Sequence, residues 1–451
     1  MQTNENKNSR RSFLKKSGAI AAGTALTGVL TSGLTPRVHA AEDNTIKVAL
    51  VGCGGRGNGA IRQALSTKGP TKVVAFADAF DFKVKNARQS LLNDEKFQAK
   101  VDVPDDRLFS GLDAYKNAID AVGPGGVILL CTPPAFRPVQ FEYAVEKGVN
   151  AFLEKSFAVD APGIKRVVAA AKKASEKNLK IVTGLMSRHS VRLQECIKRI
   201  HDGAIGDIIS SWVYRVHGQF GVGDKGNWTP LQHQLLNFNC FNWLCGSFVL
   251  DWMIHNIDVS SWAKKDEQPV SVQGQGGRQV RQDKDQMFDH VALEYRYADG
   301  KQMFLQLRQI ANTWSFFGTV LHGTKGSAEL GEGIGVPKIF KGYLRKKEYE
   351  VWNGNMPEID KYQYEHDTLF KAIREDITWN EAERGCQAAF TGIIGRMAAE
   401  SGKEIFREEA YASDQEMTPG LEKLDVNDDS PYMPNANGDY EIAKPGVTEP
   451  K

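Results

Sequence analysis

The chain reads as an α/β protein: a doubly wound parallel sheet over residues 41–184, followed by an α+β domain over 185–425 with a large, mostly antiparallel open sheet. Three observations predict this. Residues 47–60 pass from an apolar, valine-containing stretch through a glycine turn into a helix-like segment. From 42 to about 182, short apolar strands alternate with amphipathic helical stretches, as βαβ units require. Beyond 184 the strands lengthen, alternate apolar with polar residues and follow one another with few helices between. At 451 residues the chain exceeds one ordinary core, and 41% hydrophobic with 25% charged residues are globular values.

Residues 1–40 read as a leader. Arg10-Arg11 stands within 9–15, a small-residue apolar region covers 18–34, and Val38-His39-Ala40 offers a cleavage site before Ala41. These are the ordered parts of a twin-arginine signal, and they predict a periplasmic protein exported after folding. The leader carries six basic residues against Glu5 alone, so its removal takes the net charge from +2 to −3. That balance predicts neither nucleic acid nor an anionic membrane as partner, and no later apolar run is long enough to span a bilayer. The six cysteines form no C-x-x-C pair. Folding in a reducing cytosol leaves them as thiols, with Cys53 and Cys131 as small packing residues; a Cys240–Cys245 disulfide fits the spacing but is not indicated.

The first strand of the mature chain ends in Gly52-Cys53-Gly54-Gly55-Arg56-Gly57, the G-x-G-x-x-G spacing, and a helix follows. Gly52 permits the turn, Gly54 lets backbone approach a pyrophosphate, and Gly57 lets helix pack on strand, so phosphates meet a helix N-terminus. A second buried strand over 73–78 ends in Asp78, 21 positions beyond Gly57, where a carboxylate binds the adenosine ribose. The pattern is that of a Rossmann domain, and the acid selects NAD rather than NADP because it repels a 2′-phosphate. The strand over 126–130 stops at Cys131-Thr132-Pro133-Pro134, where prolines end the ladder at the carboxyl edge, the ligand edge of such sheets. The strand over 149–153 runs into Glu154-Lys155-Ser156. Lys155 stands where it can hold a substrate hydroxyl, and it reads equally as a solvated loop lysine. A helix over 161–177 and a strand over 179–184 complete this part.

After a helix over 191–202, strands are expected at 208–217, 270–275, 290–297, 303–309 and 315–322, and helices at 365–379 and 381–401. Residues 426–451, with four prolines, read as an irregular arm. One helix, 247–263, stands out because Asp251, His255, Asp258 and Trp262 share a face. Asp251, one turn before His255, can accept its ring N–H and fix the tautomer, which makes His255 a positioned general base. A hydrogen-bonded core histidine and a face solvated by charge pairs fit the same spacing. A metal site is not supported, since catalytic zinc needs a third ligand.

Together these residues resemble the Gfo/Idh/MocA oxidoreductases, in particular the exported branch typical of planctomycetes and Bacteroidetes. The matching pieces are the leader, the glycine turn, Asp78, Thr132-Pro133-Pro134, Glu154 to Asp160, Asp251 to Asp258, Gly276 to Gln279, Gly323 to Gly326 and Gly395-Arg396-Met397. The resemblance implies tightly held NAD(P), a sugar or cyclitol substrate, and a homodimer or homotetramer through the open sheet. It implies cofactor contacts at Gly52, Gly54, Gly55, Arg56, Gly57, Asp78, Thr132, Pro133, Glu154 and Lys155. His255 would take the hydroxyl proton, Lys155 would orient that oxygen, and Asp251 would hold the site's charge. The same scaffold also implies two rivals, an NAD-dependent glycosidase acting through transient C3 oxidation and elimination, and a non-catalytic sugar-binding protein. Two departures stand out. Ser156 replaces the common proline after Glu-Lys, and Arg137 stands where many relatives have histidine, a place for an acidic or phosphate-bearing group or for a surface residue.

Overall fold

The computed structural model describes residues 44–223 and 226–450; the expected signal, 1–40, lies outside them. The first sheet holds β1 (Ile46–Val51), β2 (Thr71–Asp78), β3 (Leu108–Ser110), β4 (Val127–Leu130), β5 (Asn150–Leu153) and β6 (Ile181–Thr183). Their order is β3-β2-β1-β4-β5-β6 and every pairing is parallel, the doubly wound Rossmann order. β4, β5 and β6 are buried along their whole length. Successive residues therefore serve opposite faces. Ala49 and Val51 pack with helices Tyr115–Val122, Arg137–Glu146 and Ala161–Glu176, while Val48 and Leu50 pack with Gly55–Leu65 and Asp81–Leu92.

A further helix on that second face comes from far along the chain. Lys361–Arg374 lays Leu369 and Phe370 into the cluster of Val48, Leu50, Phe76 and Phe152. Its Glu365 carboxylate meets the Arg56 guanidinium at 2.6 Å.

The second sheet contains β7 (Ile208–His217), β8 (Ser271–Gly277), β9 (His290–Arg296), β10 (Gln302–Gln309), β11 (Phe316–Gly323), β12 (Gly326–Leu330), β13 (Lys338–Lys341), β14 (Glu350–Asn353) and β15 (Ile405–Phe406). The order is β14-β13-β12-β11-β7-β10-β9-β8-β15, antiparallel except for β7 with β10. Five strands were expected; β12 to β15 are short, and none carries enough alternation to stand out. One face of the sheet packs under helices Ile254–Ala263 and Ala382–Ser401. On the other face Trp212 stacks on Phe304 at 4.5 Å and Trp314 on Phe316 at 5.7 Å, with Trp314 61% exposed.

Residues 426–450 hold no helix or strand. Tyr432 stacks on the buried Trp243, and Gln234 joins the arm to it by accepting from Trp243 Nε1 and Ser430 Oγ at 2.7 Å each. All six cysteines are free thiols, Cys240 and Cys245 included.

Candidate active site

The glycine turn has the shape that its spacing predicts. Gly52 sits at φ +94°, and a Cβ there would come within 2.6 Å of the Cys131 backbone, so β1 and β4 approach this closely only with glycine. A Cβ on Gly57 would stand 1.9 Å from the Gly52 carbonyl, which fixes how helix Gly55–Leu65 leans on the turn. Cβ atoms on Gly54 and Gly55 would meet nothing within 4 Å. The space before the helix N-terminus is thus open where a pyrophosphate needs room, and the residues present fit the group.

Asp78, at the tip of β2, accepts from the Cys53 N–H at 2.7 Å and the Phe80 N–H at 3.1 Å. Burial raises its pKa, opposed by Lys83 and those N–H groups. Each carboxylate oxygen takes one of these donors and retains acceptor capacity. Gly52, Gly54, Asp78, Thr132 and Pro133 line that crevice, joined from the second half of the chain by Leu235 and Phe238. Lys83, one turn into helix Asp81–Leu92, lines it too; sequence reading missed it because nothing marks a solvated helix lysine as facing inward.

Arg56 points elsewhere. Its guanidinium binds Glu154 at 2.5 Å, Glu365 at 2.6 Å and Gln63 at 2.8 Å, so its remaining offering to a phosphate is the backbone N–H. Glu154 also accepts from the Lys155 N–H. Arg137 is neither a surface residue nor an anion receptor. It is fully buried, caps the Leu130 carbonyl and donates to the Thr132 carbonyl at 2.6 Å, and burial lowers its pKa to about 10. The arginine thereby fixes the Thr132-Pro133 loop from beneath.

The expected helix 247–263 is broken into Ser247–Asp251 and Ile254–Ala263, with a turn at Trp252-Met253. The cause is tertiary. The Leu250 carbonyl accepts from Ser156 Oγ at 3.2 Å, and the Asp251 carbonyl from Lys155 Nζ at 2.6 Å. The Lys155–Ser156 peptide that supplies both donors is cis. The expected Asp251–His255 hydrogen bond is absent. Asp251 Oδ1 accepts from Lys155 Nζ at 2.6 Å and Oδ2 from Asn239 Nδ2 at 2.6 Å, while His255 Nδ1 is buried with no partner among the described residues. The break turns the aspartate from the histidine to the lysine. Asp258, expected on the same face, pairs with Arg188 at 2.8 Å.

Lys155 at the tip of β5 nonetheless reaches Asp251, just before the His255 helix. His255 is half-buried with its Nδ1 shut from solvent, and its pKa lies well below the usual imidazole value through desolvation first, then the fields of Lys155, Arg215 and Lys361. A ring held neutral is ready to accept a proton. Lys361 pairs with Glu332 at 2.6 Å. Arg215 comes from β7 on the face of Ser211 and Val213, an inward register that alternation could have exposed. Asn239 lies in Asn237-Phe238-Asn239, which carries no recognisable spacing. No group of three His, Cys, Asp or Glu suited to a metal ion occurs among the described residues.

Fold and site define an α/β protein of two sheets: a Rossmann-like parallel sheet, with a lysine at its carboxyl edge, and a second, mostly antiparallel open sheet, with an aspartate and a histidine brought to that lysine by the helices between. Residues 193–329 match the GFO/IDH/MocA C-terminal domain. An inositol 2-dehydrogenase from Ralstonia nicotianae is 23% identical over 267 residues, 58% of this chain and 67% of that protein. Both support the family that the motifs resemble. The fold is shared with an aldose-aldose oxidoreductase from Caulobacter crescentus complexed with glycerol, at TM-score 0.61, 17% identity, 80% of this chain and 100% of that one. It is shared also with scyllo-inositol dehydrogenase from Lactobacillus casei with bound NAD(H) and scyllo-inositol, at TM-score 0.58, 19% identity, 81% and 100%.

Proposed function

We propose that this chain is a Gfo/Idh/MocA-type oxidoreductase that moves a hydride between a carbinol carbon of a sugar or cyclitol and bound NAD. The observation that carries the reading is the 2.6 Å pair between Lys155 and Asp251, which joins the ligand edge of the first sheet to the helix pair bearing His255. The Gly52–Gly57 turn and its helix N–H groups would hold the pyrophosphate, Asp78 the adenosine ribose, and Thr132, Pro133, Glu154 and Lys155 the nicotinamide half. Nicotinamide supplies the two-electron acceptor. The chain's own residues manage the proton. Neutral His255 takes it from the substrate hydroxyl, and Lys155 donates to the same oxygen and steadies its growing negative charge. Asp251 aims the lysine, and Asn239 holds Asp251.

The leader supports export to the periplasm by the twin-arginine route, and the bare aromatic face of the second sheet supports a homodimer or homotetramer. The test is denaturing mass spectrometry of the purified native protein, followed by a panel of sugars and cyclitols read by nicotinamide absorbance. The reading expects co-purified NAD(H) and substrate-dependent reduction. Release of aglycone at constant cofactor would mark the glycosidase instead, and a protein that binds no nicotinamide nucleotide even on titration overturns both.

A further inference from the structure

Charge around His255 does not balance. The fields of three cations, Lys155, Arg215 and Lys361, act on its ring. Lys155 has Asp251 at 2.6 Å, and Lys361 has Glu332 at 2.6 and 2.7 Å. The Arg215 side chain has no ion pair and no hydrogen bond among the described residues, Asp251 and Glu332 act on it only at longer range, and its Nε is buried without a partner. Two rings hold the guanidinium instead, Phe317 at 3.9 Å and Trp252 at 4.5 Å from its central carbon. Trp252 belongs to the turn between Asp251 and His255.

The placement is rigid. Asn256, next to His255, accepts from the Glu332 N–H at 2.8 Å and donates to the Tyr214 carbonyl at 3.4 Å, while Ser260 donates to Ser211 at 2.8 Å. Those bonds pin β7, and the segment after β12, to the helix of the base. A cation withdrawn from water without a counterion is costly, so such groups are ordinarily paired. Once Asp251 and Glu332 are set against Lys155 and Lys361, a single positive charge is left over, on Arg215.

We propose that Arg215 receives a carboxylate of the substrate, so that the sugar this site takes is an acid of the uronate class. The inference rests on the reading of the site as a sugar oxidoreductase. The flat guanidinium fork matches a carboxylate through two parallel hydrogen bonds. One uncompensated positive charge matches a monoanion better than a phosphate ester, which carries close to two negative charges at neutral pH. A bound carboxylate also offsets the cationic field in which His255 must accept its proton.

The experiment uses the NAD-loaded protein with matched pairs: glucuronate, galacturonate and mannuronate, each against its neutral aldose, with glucose 6-phosphate as the phosphate arm. Both kcat/KM and calorimetric affinity are measured. Charge-assisted hydrogen bonds are worth roughly 1.5–3 kcal/mol, so the best uronate should exceed its aldose by about 10- to 150-fold. Arg215→Met should bring that ratio to near one, and Arg215→Lys should leave it in between, with retained NAD reporting a folded protein. Should Arg215→Met not fold, the wild-type ratio and Arg215→Lys still decide. Neutral aldoses matching or surpassing uronates, an unchanged ratio in the variants, or preference for the phosphate each overturns the proposal. Turnover of neutral sugars alone keeps the oxidoreductase reading and removes the carboxylate role. Tight, Arg215-dependent uronate binding without redox change does the reverse.

Discussion

Asp251→Asn separates two ways in which an aspartate can serve this site. Both carboxylate oxygens are acceptors, one for Lys155 Nζ and one for Asn239 Nδ2, each at 2.6 Å. An amide offers one acceptor and one NH2, so the substitution sets a donor against either the ammonium or the Asn239 amide. Breaking a buried pair on one side costs about 3–5 kcal/mol. The Lys155 side chain is 21% exposed and keeps the residue-251 carbonyl, so the cost here should be nearer ~2 kcal/mol. The catalytic loss follows from the aim of Lys155. Removing one preorganised donor to a developing oxyanion lowers kcat by about 10²–10³. The assay is steady-state oxidation of the best substrate across pH with NAD content measured in parallel. The expected outcome is a kcat reduced by about that factor at every pH, with the acid limb where wild type has it. An acid limb displaced with full activity above it would show that Asp251 acts on His255 after all, and an unchanged kcat would show that Lys155 needs no anchor.

Three other outcomes follow. His255→Gln should retain NAD and lose roughly 10²–10⁴ in kcat, while wild type should show an acid limb below the ordinary imidazole value of about 6.5, because burial and three cations depress the ring; a limb at or above that value contradicts the assignment. Gly57→Ala should weaken or abolish NAD retention and lower the melting temperature, since the new Cβ would sit 1.9 Å from the Gly52 carbonyl; wild-type retention would mean the turn relaxes freely. Glu381, which takes the Thr183 N–H at 3.0 Å, has its pKa at about 2 although burial pushes it up, because His189, Arg384 and Thr183 outweigh desolvation. A depressed carboxylate stabilises the fold above its ordinary value of about 4.5 and loses that contribution as pH falls toward 2, about 3 kcal/mol in all. Glu381→Gln should flatten the drop in melting temperature over that interval, and an unaltered acid profile would show that the carboxylate is not so held.

Much of the parallel-sheet half was readable because its signals are local. The glycine spacing, the acid closing β2 and the prolines after β4 each act on their own few residues, and β7 falls at the expected 208–217. The histidine's surroundings were not readable for the opposite reason. Periodicity over 247–263 describes one unbroken helix, since no proline or glycine interrupts Trp252-Met253. What breaks it is a lysine and a serine nearly a hundred positions earlier, whose side chains take the Asp251 and Leu250 carbonyls. Arg137 misled by the same logic: its role depends on carbonyls at Leu130 and Thr132 that a sequence does not show as needing donors. Arg215 is an isolated charge in an alternating strand, and only three-dimensional neighbours reveal that it lacks a counterion.

The helix Lys361–Arg374 bears on how the molecule comes into being. Until Leu369 and Phe370 have been synthesised, part of the hydrophobic flank of the opening strands, beside the helices Gly55–Leu65 and Asp81–Leu92, has no cover. A ribosome therefore releases some three hundred residues before the first-made sheet can be finished, and a fragment cut at position 184 would keep that flank wet and prone to clump. The parallel-sheet half is thus no detachable cassette: its last structural part is delivered by Lys361–Arg374, far along the same molecule.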